Sequence, residues 1–452
     1  MLIVSASREM MHVIVPPLGE AYLAAYMIEQ GHEVRILDLV HSDNFRNDID
    51  NTIEEFKPDF IGVSIRNIDS TTYPGNLFFY LPVKNVIQYI KSVAEPKIPV
   101  ILGGAGFSIF AEEILRDLNH DVGVVGEGEY VLAEIARKID RDEDVREIKK
   151  GICFIDSNGN YIQRPPWHID DLDTLPFPAR TLIDNQNYQL FPLSDDDSSW
   201  GNLQTKRGCN KNCIYCSYKF IEGSKVRFRN PQKIADELEF LVENVGVNKI
   251  FFTDSVLNLD YKHLKETCTA IKNKNVDVEW GANYSPDLKF LDLLPIMKES
   301  GAAHLAVGME SLSPDMLSAL QKERFVDDAV ETANACSNLE IEQLIHIMFG
   351  SPGETAETVR TTFSRLDEIR PYTYIGWQGD RDVLIFPAIR IYPKTQIEKI
   401  AIREGIISKG SPLLKPKFYI SPTIKEIELF TLIREYLDTH PRWMCPALGI
   451  NN

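Results

Sequence analysis

The sequence predicts an α/β chain in three parts: a doubly wound parallel sheet, then a partial (β/α)6 barrel, then a helical C-terminal region. Three observations carry this expectation. Residues 1 to about 140 alternate short apolar strands with stretches of helical spacing. A second alternating series begins near residue 201 and offers six candidate strands, short of the eight in a closed barrel. Cys209, Cys213 and Cys216 fall on a loop just after the first strand of that series, at the strand carboxyl ends, where such folds place their chemistry.

The first series is read as strands over residues 2–4, 33–39, 60–64, 100–102 and 122–125. Helices are expected over 19–30, ending at Gly31, near 82–94, near 111–118, and over 129–138. The loops after its strands are distinctive: Ser64-Ile65-Arg66-Asn67, Gly103-Gly104-Ala105-Gly106 and Gly126-Glu127-Gly128-Glu129. Glycines there let a backbone approach a ligand closely, or only make tight turns; the residues alone leave both open. Residues 141–200 read as a connector. Runs at 151–155 and 161–164 flank Asn158-Gly159, which suits a type I′ hairpin turn, and prolines and the acidic run Asp195–Asp197 follow. The barrel strands are expected over 203–206, 249–253, 278–281, 304–307, 341–349 and 383–387, and residues 395–452 read as mainly helical. The domain boundaries are thus 1–140, 141–200, 201–394 and 395–452.

Composition limits the function. The 452 residues are 44% hydrophobic and 25% charged, enough for two or three ordinary cores. A net charge of −18 argues against a broad nucleic-acid or anionic-membrane surface. Seven cysteines are too few for a disulfide framework in a chain of this length and fit a reducing cytoplasm. The first residues lack a basic and apolar signal pattern, and no run of 18 apolar residues marks a membrane span.

The cysteine loop carries the chemistry. Its spacing is x3 then x2, and three thiolates leave one position of a four-ligand site open. A redox-active iron–sulfur cluster is the favoured reading, with zinc and structural thiols as alternatives. Cys153, Cys268 and Cys336 have no partner spacing and read as packing.

The order of these parts resembles the cobalamin-binding subgroup of the radical SAM enzymes, over roughly residues 1–400. Cys209, Cys213 and Cys216 match that family's CxxxCxxC loop, with the aromatic Tyr215 before the last cysteine. The resemblance implies a [4Fe–4S] cluster whose open iron is chelated by S-adenosylmethionine (SAM), cleaved by one electron to a 5′-deoxyadenosyl radical. It makes Asp254, with Ser255, the carboxylate segment near the SAM amino group. Glu310, with Ser311, becomes the acid at the ribose hydroxyls; a carboxylate accepts well from an ammonium or a diol. Gly350 and Gly353 belong to the turn near the adenine, and Arg390 and Tyr392 to the motif at the barrel mouth. Tyr284 and Trp377 are further candidates to line the substrate pocket.

The N-terminal part resembles the family's Rossmann-like cobalamin-binding domain. Ser64, Gly103, Gly104, Gly106, Gly126, Glu127 and Gly128 would line the cofactor, and Arg66 and Asn67 would face the cobalt. The Asp-x-His-x-x-Gly signature of many cobalamin domains is absent, since Asp38 and His41 have the wrong spacing. The resemblance implies a cobalamin-dependent methyltransferase that acts on an unactivated carbon through methylcobalamin. Cyclisation or rearrangement without net methylation is the alternative, as is a cobalamin-free dehydratase or epimerase; the ordered SAM-site segments argue against a non-enzyme iron–sulfur or zinc scaffold. An external electron donor such as flavodoxin or ferredoxin is implied. The substrate class stays open between a small molecule, a peptide or protein side chain and a lipid. The tail around Trp443 and Cys445 is expected to fold over the barrel mouth, with Cys445 a buried structural thiol in preference to a hydrogen donor or an extra ligand.

Overall fold

The computed structural model describes residues 1–9, 14–94, 96–188, 199–322, 326–372 and 381–448. Asp195–Asp197 and Trp377 lie outside the described residues. The chain divides into two compact units. The first contains 1–70, 78–185 and 218–227; the second contains 71–77, 186–217 and 228–452.

The first unit is built on a seven-stranded sheet. Its strands are β1 (Leu2–Ser5), β2 (Arg35–Asp38), β3 (Ile61–Ser64), β4 (Val100–Gly103), β5 (Val122–Val124), β6 (Ile152–Ile155) and β7 (Tyr161–Gln163), in the order β2-β1-β3-β4-β5-β6-β7. The first five run parallel; β6 pairs antiparallel with β5, and β7 antiparallel with β6. Ile3, Ile101, Val124 and Ile152 send side chains into one buried cluster with residues of the covering helices. Those helices are α1 (Leu18–Glu29), α2 (Phe45–Phe56), α3 (Tyr80–Ala94), α4 (Ala105–Asp117) and α5 (Glu129–Asp140).

Three details depart from the sequence expectation. The hairpin assigned to a connector extends the parallel sheet instead, because β6 supplies the buried face Ile152, Cys153 and Phe154. Its turn is not type I′: Gly159 alone of the Asn-Gly pair has positive φ, and Asp156 accepts from Asn158 and Asn160 N–H at 2.9 and 2.8 Å. Helix α2 was not expected, since it buries only Ile49 and Thr52 and its apolar stripe is thin.

The second unit is built on a seven-stranded parallel sheet. From one edge the strands are Trp443–Met444, Val383–Phe386, Glu342–Met348, Ala302–Glu310, Glu279–Tyr284, Lys249–Phe252 and Trp200–Leu203. Five match the expected series, and the Trp200–Leu203 strand shares only Leu203 with the expected 203–206. The seventh comes from the tail, where Trp443 and Met444 pair with Val383 and Leu384. The tail is thus an edge strand. Stacking fixes it there: the Trp443 ring lies 3.9 Å from His440 and 5.9 Å from Phe363. Cys445, fully buried, has its thiol pushed up to about 11 by desolvation. Alternate residues of each strand (Leu305, Val307 and Met309; Ile345 and Ile347; Val383 and Ile385) pack under the helices. The pleat turns the others, Glu310 and His346 among them, to the opposite face.

Candidate active site

The cysteine loop starts from a pinned turn. The last residues of the Trp200–Leu203 strand lead into Thr205 and Lys206, which are both buried. The Asp254 carboxylate holds that turn. It accepts from Thr205 N–H at 2.9 Å, Thr205 Oγ1–H at 2.6 Å and Lys206 N–H at 3.1 Å. Asp254 is 1% exposed, and its oxygens accept from the Thr205 backbone and hydroxyl and from the Lys206 backbone. The residue expected to meet the SAM amino group is therefore placed at the root of the loop. Ser255 beside it accepts from the Lys206 ammonium at 3.1 Å.

The loop itself is held at its middle. Ile214, buried between the cysteines, donates its N–H to Leu320 O at 3.3 Å and accepts from Ile397 N–H at 3.0 Å. Cys216 N–H closes back on Cys213 O at 3.2 Å. Cys209 is buried, while Cys213 and Cys216 are half-buried. Among the described residues, no three Cys, His, Asp or Glu side chains gather around a point that could hold a single metal ion. What the loop offers is three thiols without a disulfide, one buried and two reachable. That donor set fits a cluster, in which each thiolate binds a different iron.

Tyr215 and Glu310 lie together, as the motif reading placed them near one site. The Tyr215 hydroxyl donates to Glu310 at 2.9 Å, and the Lys322 ammonium pairs with the same carboxylate. Lys322 also sits over the Tyr215 ring, 5.8 Å from its centroid. Burial, and then the Glu310 charge, push the Tyr215 phenol well above its usual range. Glu310 has φ +62, and the strand shifts register between Gly308 and Glu310. A left-handed backbone on a non-glycine residue costs on the order of 1–2 kcal/mol. The bulge re-aims this carboxylate at the end of its strand.

The remaining second-unit candidates are placed as follows. Ser311 is buried and bonded to Thr362 at 3.0 Å. Gly350 and Gly353 both have positive φ, +79 and +84, and the turn between them is tied to Ser421. Arg390 spends its guanidinium on the carbonyls of Ile391 and Leu413, at 2.6 and 2.8 Å, and lies 5.0 Å over the Tyr392 ring. Tyr284 is buried against the helices. The structure thus brings together the cysteine loop, Tyr215, Glu310, Asp254 and Ser255, and gives Arg390 a bracing position.

In the first unit, Ser64, Arg66, Asn67, Gly103, Gly104 and Gly106 collect at the carboxyl ends of β3 and β4. Packing explains two of the glycines directly. A Cβ on Gly104 (φ +101) would stand 2.6 Å from Ile65 O, and one on Gly106 would stand 2.9 Å from Arg66 O. Arg66 and Asn67, expected toward the cobalt, both donate to Glu9, at 2.8 and 3.0 Å. Glu127 is 7% exposed; it pairs with Arg227 at 2.6 Å and accepts from Ile169 N–H at 2.9 Å. Gly126 and Gly128 flank it, with Gly126 at φ +81. Glu20, buried at the start of α1, has its carboxyl pushed up by desolvation and faces the Ser64 hydroxyl. The strand-end loop at 103–106 is built of small residues, and Gly104 and Gly106 answer first to the close approach of the Ile65 and Arg66 backbone.

The sequence matches the family model of the radical SAM superfamily over residues 203–366 and that of the B12 binding domain over residues 10–136. The chain thus carries a radical SAM domain and a B12-binding-type domain. An uncharacterized methyltransferase of Pyrococcus horikoshii is 26% identical over 443 residues, covering 96% of this chain and 90% of that protein. The anaerobic magnesium-protoporphyrin IX monomethyl ester cyclase of Rubrivivax gelatinosus is 26% identical over 364 residues, covering 79% of this chain and 62% of that one. The fold is that of the radical S-adenosylmethionine methyltransferase TsrM of Kitasatospora setae, solved with cobalamin and a [4Fe-4S] cluster. It superposes with TM-score 0.79 at 21% identity, over 98% of this chain and 92% of that one.

Sequence reasoning missed Lys206, Lys322 and Thr205. None carries a motif signal, because a lysine or threonine gains meaning here only through the carboxylate or loop that tertiary packing places beside it.

Proposed function

We propose that this radical SAM enzyme is a cobalamin-dependent methyltransferase that methylates an unactivated carbon. The observation that carries the reading is the cysteine loop. Its three thiols stand at a strand carboxyl end, and its backbone is fixed by Asp254 at the root and by Ile214 at the centre. Methyltransferase relatives and the B12 binding domain match support the cobalamin half. When bound, the cluster, SAM and cobalamin supply a reductant, a radical source and a methyl carrier.

The chain's own residues do the rest. Cys209, Cys213 and Cys216 ligate the cluster. Glu310, oriented by Tyr215 and Lys322, accepts from the SAM ribose, with Ser311, Gly350 and Gly353 shaping the wall beside it. Asp254 and Ser255 position the loop. Ser64 and the glycine loops at 103–106 and 126–128 hold the cobalamin tail. The substrate is a small molecule or a peptide side chain, and a small redox protein of the reducing cytoplasm supplies the electron. The net charge of −18 sets the enzyme against nucleic acid. No helix among the described residues is long and apolar enough to cross a membrane.

The cyclase relative supports a second reading, the same cofactors without net methylation. Anaerobic purification and reconstitution separate the two. The methyltransferase reading expects a cluster absorbance, a corrinoid spectrum and S-adenosylhomocysteine alongside 5′-deoxyadenosine. 5′-Deoxyadenosine without S-adenosylhomocysteine favours the cyclase reading, and absence of bindable cobalamin removes both. Cys213→Ala is expected to abolish cluster loading, and intact iron content in that variant would sink the ligand assignment.

A further inference from the structure

Lys206 is 1% exposed and ranks among the largest fully buried side chains of the protein. Its ammonium donates to Ser255 Oγ at 3.1 Å and reaches Gly208 O at 3.5 Å. Among the described residues, no carboxylate lies within ion-pair distance of its Nζ. Asp254, three bonds of which were described above, binds the Lys206 backbone N–H and not its side chain. A buried ammonium without a counter-charge is costly, because desolvation is not repaid by a hydroxyl and one long carbonyl contact. Such groups persist where a negative partner completes the site.

The position of the charge indicates the partner. Gly208, which the ammonium touches, immediately precedes Cys209, and its φ of +87 turns the chain into the cluster loop. Three thiolates make a bound [4Fe–4S] cluster anionic, and each electron it accepts adds a further negative charge. A fixed cation in a dry environment favours the more negative state, and net charge is one of the levers that set a cluster's potential. Arg207, next along the chain, bonds Gln204 at 2.9 Å. Lys322 is already paired with Glu310, and Lys211, on the cysteine loop itself, is exposed to solvent. Lys206 is therefore the buried cation whose charge the protein leaves for a ligand.

We propose that Lys206 is the cluster's electrostatic partner, a positioning residue whose buried ammonium favours the reduced cluster and so eases the one-electron step that a donor of the flavodoxin or ferredoxin class must make. This rests on the cluster assignment above and adds to it a source of its potential. No covalent step is involved: one electron enters the cluster, and no bond to Lys206 forms or breaks.

The test uses the full chain, reconstituted without oxygen, with Lys206→Met, Lys206→Gln and Lys206→Arg. Iron and sulfide content reports loading, and an electron paramagnetic resonance redox titration reports the midpoint. The neutral variants are expected to load cluster with a midpoint shifted to more negative potential, so that a smaller fraction is reduced at any fixed potential. Lys206→Arg is expected to stay near wild type. A loaded neutral variant with the wild-type midpoint overturns the proposal, as does Lys206→Arg shifting as far as the neutral forms. If neither neutral variant loads while Lys206→Arg does, the requirement for charge at this position is upheld. If all three fail to load, Lys206 acts by packing and the proposal falls. Wild-type protein that holds no cluster would instead strike the functional assignment itself, so the two failures are distinguishable.

Discussion

A carboxylate that accepts three hydrogen bonds from one turn contributes to a site by what it holds in place. Asp254→Ala leaves two buried N–H groups and a hydroxyl without acceptors. Each such loss costs roughly 1–3 kcal/mol. The variant is expected to lose on the order of 3 kcal/mol in chemical denaturation and to hold less iron per chain; Asp254→Asn, which keeps one acceptor, loses less. A wild-type melting profile with full iron content would return Asp254 to a role in binding alone. Glu354 makes a different residue-scale case. It is fully buried in the turn after Gly353, and desolvation pushes its carboxyl up to about 7. The folded state thus holds a proton that the unfolded chain releases near the usual carboxylate value. The stability linked to this proton is fully present below that value and is lost as pH rises through about 7. Glu354→Gln, neutral at every pH, is expected to melt higher than wild type at pH 8 and to flatten the decline between about pH 5 and 7. Equal pH slopes in the two proteins would rule this out. Spacing in the sequence singled out Cys209, Cys213 and Cys216, because a thiol motif is local, and the structure shows the three without a disulfide. Resemblance singled out Glu310 and Asp254 but gave no sign of the Thr205 and Lys206 donors on Asp254, which lie about fifty residues away in sequence.

At the scale of elements, strands were easier to read than edges or turns. Strands such as Ala302–Glu310 and Glu342–Met348 are long for this sheet and carry apolar residues at Leu305, Val307, Met309, Leu344, Ile345 and Ile347, enough to mark them in the sequence. Trp443–Met444 is a strand of two residues, too short for any periodic signal, and it exists because an aromatic stack brings it beside Val383. Helix α2 went unseen for a related reason, its buried face being two residues wide. The glycine loops were legible as tight places but not as places packed against backbone. Two substitutions separate these demands. Gly104→Ala combines φ +101 with a Cβ 2.6 Å from a carbonyl oxygen that cannot move without its strand. Gly405→Ala has φ +74 and nothing within 4 Å. The second is expected to cost about 1 kcal/mol, the conformational term alone. The first should cost several times more, because the turn between β4 and α4 must shift. Denaturant midpoints compare the two directly, and equal losses would mean that backbone conformation, not contact, sets the requirement at Gly104.

The whole chain divides less simply than its sequence suggested. Residues 71–77 and 218–227 each belong to the unit other than the one that flanks them, and the hairpin of a supposed connector completes the first sheet. Such exchanges are set by contacts between residues far apart in sequence, which no local pattern records. A chain of two units need not unfold in one step, so the two cofactor assignments are best tested where each acts. A ligand that binds only the folded state stabilises it by about 2.7 kcal/mol at one hundred times its dissociation constant, and slows local opening where it binds. Hydroxocobalamin is therefore expected to slow amide hydrogen exchange at 64–67, 103–106 and 126–129, with or without a cluster. Cluster reconstitution is expected to slow exchange at 205–217 and at 253–258, where Asp254, Ser255 and the backbone partners of the cysteine loop lie. The absence of the Asp-x-His-x-x-Gly signature makes the first half the sharper test, since without that histidine retention of the cofactor depends on the loops around its tail. Exchange unchanged at all three first-unit loops, with cluster-linked protection intact, would leave a radical SAM enzyme whose first unit is a scaffold and would remove methyl transfer through cobalamin.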